Sequence, residues 1–88
     1  GRWFCIEVHV KLNSPGKADG VFEYWIDNEL QVRSDQLNWH GDWNSDPNKT
    51  MINAVFFENY WNAGSPEKQK RYFDNIVIST LRIGCERD

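Results

Sequence analysis

Trp3 to Asn13 reads WFCIEVHVKLN, and it alternates without a break. Phe4, Ile6, Val8, Val10 and Leu12 fall on one side; Cys5, Glu7, His9, Lys11 and Asn13 fall on the other. That period of two belongs to a strand, whose side chains point to opposite faces of a sheet. The apolar side needs a layer to pack against. The other side carries an acid, an imidazole, an amine and an amide, and suits water or a polar ligand.

The neighbours of this strand follow in the chain. Pro15-Gly16 and Asp19-Gly20 are turn signals. Val21 to Asp27, VFEYWID, is rich in the β-branched and aromatic residues of strands. Asp27-Asn28 suits a tight turn with positive φ, and Leu30 to Arg33 reads as a short return strand at an edge. Ser34 to Thr50 is long and polar, with Trp39, His40 and Trp43 inside it. A connection of that length is usually functional or disordered, and its two Trp favour an ordered binding loop. Met51 to Trp61 and Arg71 to Thr80 read as two further long strands, the first apolar on parts of both faces. Between them, Ser65-Pro66-Glu67 has the residues of a helical first turn.

These elements predict an all-β fold: one domain over residues 1–88, a small antiparallel β-sandwich with a jelly-roll-like layout. A chain of 88 residues buries only about 60–65% of its unfolded surface, so a disulfide, a metal or a partner subunit would help it. Cys5 and Cys85 either stay as thiols or close a disulfide around nearly the whole chain. A self-closed monomer is expected, with a weak homodimer through an edge strand as the alternative.

Net charge of −3 with scattered basic residues argues against a nucleic-acid partner. No apolar run approaches the ~20 residues that cross a bilayer, so no membrane partner is expected. Zinc finds no ligand spacing. Calcium is the one cofactor left open, through the alternating oxygens of Asp42, Asn44, Asp46 and Asn48, although the EF-hand glycine and distal Glu are missing. Asn48-Lys49-Thr50 is a glycosylation sequon, meaningful only in a secreted eukaryotic protein.

Thirteen residues of the chain are aromatic: five Trp, five Phe and three Tyr. Trp is rarely buried completely, so several rings should reach the surface. Sugar rings stack their C–H faces on such rings, and their hydroxyls need amide and carboxylate partners. Candidate platforms are Trp25, Trp39, Trp43, Tyr60 and Trp61; candidate hydrogen-bonding partners are His9, Lys11, Asn13, Glu58 and Asn59. The alternative places Trp25 and Trp61 in the core.

The runs HVKLNSPGKADGVFEYWIDNEL, INAVFFENYWNAGSP and RYFDNIVISTLRIG resemble the C-terminal half of concanavalin-like jelly-roll proteins. Within that group they are similar to polysaccharide lyases of the alginate- and heparin-lyase-like kind and to their non-catalytic cousins. The resemblance rests on Asn13, Pro15-Gly16, Asp19-Gly20, Trp25 to Asn28, Tyr60 and Phe73-Asp74-Asn75. It implies a curved sheet whose concave face binds a sugar chain, with a His on one strand and a Tyr on another; the matching positions are His9 and Tyr60. Glu7 stands where the lyases commonly have Gln, and a complete lyase sandwich is more than twice this length.

The function expected from the chain is therefore a secreted, non-catalytic carbohydrate-binding module for a β-linked glucan of cellulose type or mixed linkage. Such a module would serve a glycoside hydrolase attached in the parent protein. The alternative is a polysaccharide lyase, or its catalytic fragment, with His9 and Tyr60 as base and acid in β-elimination. A glycosidase pair of Glu7 and Glu58 would need carboxyls ~5–5.5 Å apart to work by retention.

Overall fold

The computed structural model describes residues 1–58 and 60–85. Three strands build it: β1 (Ile6–Lys11), β2 (Gly20–Ile26) and β3 (Glu29–Leu37). They form one antiparallel sheet in the order β1-β2-β3, and a single 3-10 turn at Pro47–Lys49 follows. The fold is all-β and is consistent with a small β-sandwich.

The β2–β3 hairpin closes through Asp27 and Asn28, whose φ angles are 49° and 68°. Two positive φ values in a two-residue turn match the right-handed twist of the strands it joins, and Asp and Asn adopt them at small cost. β3 runs four residues beyond the expected Leu30–Arg33 because its polar end still finds a ladder: Ser34 pairs with Phe22 and Leu37 with Gly20. The register shifts between Tyr24 and Trp25, so Trp25 faces Leu30 while Tyr24 faces Val32. A bulge of this kind re-aims side chains without ending the strand.

In β1–β2, Glu7 lies opposite Trp25, His9 opposite Glu23 and Lys11 opposite Val21. Ile6, Val8 and Val10 lie opposite Ile26, Tyr24 and Phe22. The sheet thus has one polar and one apolar face, as the alternation requires. The apolar face is bare: Ile6 is 64%, Val8 56% and Val32 42% exposed. Among the described residues no apolar side chain is buried, whereas Asn13, Glu23 and His40 are.

The strands expected at 51–61 and 71–80 do not form a ladder among the described residues. Both segments are exposed throughout their described length. They meet through the rings of Phe57 and Phe73, 4.9 Å apart, and through an Arg71 hydrogen bond to the Glu58 carbonyl. Alternation supplies strand propensity, but a strand also needs a neighbour of fixed register. The connection between these segments has no two-residue turn to set that register. The Cα radius of gyration is 16.2 Å, against about 12 Å for a close-packed domain of this size. Residues 51–80 therefore do not cover the bare face of the sheet.

Cys5 and Cys85 are joined by a disulfide across a sequence separation of 80. Closing a loop of that length restrains the unfolded chain by about 4.5 kcal/mol in the chain-entropy account.

Candidate functional site

The polar face of the sheet carries two bonded rows. In the first, His9 Nδ1 donates to Glu23 Oε1 at 2.8 Å, and Arg33 donates to Glu23 Oε2 at 3.1 Å. Each strand supplies one member, because the register sets His9, Glu23 and Arg33 side by side. Glu23 is buried between its two partners; the His9 and Arg33 side chains are half exposed. Lys11 continues the β1 side, exposed, with no acid in ion-pair reach among the described residues.

The second row uses Glu7. Its Oε1 accepts from Arg82 Nε at 2.8 Å and from the Gly84 N–H at 3.0 Å; its Oε2 accepts from the Ile83 N–H at 2.7 Å. Burial pushes the Glu7 carboxyl up, but the hydrogen bonds from Ile83, Arg82 and Gly84 outweigh it and hold the group below its ordinary value. Glu7 therefore belongs to a clamp on the 82–85 segment. Three donors already occupy its two oxygens, while Glu58 lies in the second half of the chain, outside the sheet. Asn28 secures the same segment from both sides, accepting from the Cys85 N–H at 2.9 Å and donating to its carbonyl at 3.2 Å. Trp25 is half-buried, and the Arg82 guanidinium sits 4.1 Å from its ring centroid. It is neither a bare sugar platform nor a core residue.

Asn13 holds loops together. Its amide donates to the Ser14 and Lys17 carbonyls and to Asn38, and its Oδ1 accepts from the His40 N–H at 3.1 Å. At 4% exposure its amide is engaged within the chain, where the sequence reading expected it to face a ligand. Trp39 lies against Gly20, donates to the Val21 carbonyl at 3.2 Å and meets Phe22 edge-on. A Cβ on Gly20 would come within 2.6 Å of that indole, so the glycine makes room for it. Trp39 is 41% and Trp43 85% exposed. Asp42, Asn44 and Asp46 bond to Asn38, Thr50 and Lys49, and no set of three metal-binding acids, His or Cys occurs among the described residues. No helix among the described residues is long and apolar enough to cross a membrane.

Glu58, Tyr60 and Trp61 gather elsewhere, lining an open cavity of about 590 Å³ with Ser65, Gln69 and Arg71. Tyr60 is exposed, and among the described residues no hydrogen bond or ring contact joins it to His9. Asn59 lies outside the described residues.

Sequence reasoning missed Glu23, Arg33 and Arg82. Glu23 and Arg33 needed the register across three strands, and Arg82 needed the fold-back of the chain end. Cys85 was the one signal that this end returns to β1.

A family model for polysaccharide lyase 14 matches residues 1–76. The chain belongs to the polysaccharide lyase 14 family. The match spans all three strands and therefore the His9–Glu23–Arg33 row, while Arg82 to Cys85 lie beyond it. No curated protein and no solved structure matches the chain. Membership ties this polysaccharide lyase 14 chain to polysaccharides.

Proposed function

We propose that the chain binds a polysaccharide along the polar face of the sheet and does not cleave it. The observation that carries this reading is the His9–Glu23–Arg33 row. It fixes two half-exposed donors on a rigid ladder, with Lys11 on the same face, in a chain of a polysaccharide family. Because the row is preformed, a ligand need not order those side chains on binding. The exposed rings of Trp39 and Trp43, on the loop after β3, suit the C–H faces of sugar units.

Net charge alone favours the neutral β-linked glucan. Local charge favours a uronate polymer, because Glu7 and Glu23 are paired internally while Lys11 is exposed and Arg33, which also reaches Asp35 at 3.9 Å, is half exposed. We take the uronate polymer as the ligand. Titration calorimetry against alginate oligosaccharides and cello-oligosaccharides tests this, at low and high salt. Alginate binding that weakens with salt is expected. Binding to the glucan alone would return the ligand to the neutral class, and binding to neither would end the reading.

One observation favours a second reading, β-elimination by a lyase. Glu23 holds His9 through Nδ1, leaving its other ring nitrogen without a partner among the described residues, as a general base requires. Elimination would transfer the proton on the carbon next to the uronate carboxylate to that base, break the glycosidic C–O bond with a water proton going to the leaving oxygen, and leave an unsaturated uronate absorbing in the ultraviolet. The acid the family resemblance assigns, Tyr60, is not bonded to this site. Ultraviolet absorbance rising on incubation with alginate, and lost in His9→Ala, would replace binding by catalysis.

A further inference from the structure

Arg82 reaches the sheet from beyond the part of the chain that matches the family. It is held on several sides at once: Nε bonds Glu7 at 2.8 Å, and the guanidinium carbon Cζ lies 4.1 Å from the Trp25 ring centroid. The next residues are fixed by Glu7, Asn28 and the Cys5–Cys85 disulfide. Its side chain is nevertheless 47% exposed, whereas that of Glu7 is 10% exposed. A guanidinium has five N–H donors in a planar fork. Among the described residues only Nε has a partner, so both terminal nitrogens keep their hydrogens for another acceptor. The rotamer entropy of a long cation is already lost here, and a fork so fixed matches a carboxylate bidentately.

We propose that Arg82 is a specificity-determining residue: its free guanidinium edge takes the carboxylate of a uronate unit, and the disulfide-tied 82–85 strap delivers it. The proposal rests on the polysaccharide-binding reading and adds a subsite to it. The strap ties ligand choice to oxidation. With the Cys5–Cys85 bond open, Arg82 is no longer covalently held near β1, and the selectivity for acidic over neutral chains falls.

The test uses the full chain, oxidised, with alginate oligosaccharides and cello-oligosaccharides as probes. Arg82→Gln is expected to weaken alginate binding about tenfold. Arg82→Lys keeps the charge without the fork and should recover only part of the loss. Dithiothreitol should lower wild-type alginate binding toward the level of Arg82→Gln and leave that variant unchanged. Near-ultraviolet circular dichroism confirms that each protein compared retains its fold, and the Gln and Lys variants carry the test if reduction unfolds the chain. Alginate binding by a folded Arg82→Gln equal to wild type would make Arg82 a structural pin and overturn the proposal alone. Failure of the wild type to bind either probe would remove the polysaccharide reading and the subsite with it.

Discussion

The two faces of the sheet have the same strands and opposite kinds of order. On the polar face, Glu23 and Glu7 each bridge separate parts of the chain through charged hydrogen bonds. On the apolar face, Ile6, Val8 and Val32 lie opposite apolar or aromatic neighbours yet remain largely open to water. An apolar side chain gains stability from surface removed from water, at about 25 cal/mol per Å²; left open, it gains little. The polar face thus holds this sheet in register, and the residues that hold it are also the ones proposed to face the polysaccharide.

The largest effect expected from breaking that contrast comes from Cys85→Ser. Loss of the disulfide should reduce stability by about 4 kcal/mol, read as a lower urea midpoint. Glu23→Ala comes next. It removes the shared acceptor of His9 and Arg33, and a loss of about 2 kcal/mol is expected because both donors can return to water. A loss near zero would mean that the row does not hold the sheet.

Acid sharpens the comparison. The folded Glu7 carboxyl titrates below its unfolded counterpart, so its contribution is fully present above the unfolded value. It is lost as pH falls through that value toward the folded one. Asp19 behaves alike, chiefly through the hydrogen bond from the Ser14 N–H. Urea midpoints should therefore drop on the acid side. Glu7→Gln should flatten part of that drop and Asp19→Asn another part. The smallest effect belongs to the bare face: Val8→Thr should change stability by less than about 0.5 kcal/mol. A loss above 2 kcal/mol there would show that a second layer covers the face in solution.

Legibility in the sequence followed the range of the interactions. The alternation at Trp3–Asn13 and the Asp27-Asn28 turn were readable because both are local, and together they give β1 and the β2–β3 hairpin. The same alternation misled at Met51–Trp61 and Arg71–Thr80, where no turn sets a partner. His9 and Lys11 could be named from their face of β1. The partner of His9 could not, since Glu23 lies opposite only in one register of β1 against β2. Asn13 looked like a ligand residue because a polar side chain on a polar face gives no sign that two loops will bury it. Trp25 looked like a platform because nothing near it in sequence announced Arg82.

The claim that the polar face is the polysaccharide surface is tested most directly by nuclear magnetic resonance on isotope-labelled protein titrated with alginate oligosaccharides. The account predicts shift changes concentrated at His9, Lys11, Glu23, Arg33 and the Trp25 and Arg82 side chains, with Ile6, Val8 and Val32 methyls still. Changes confined to the apolar face, or to Tyr60 and Trp61 around the separate cavity, would contradict it.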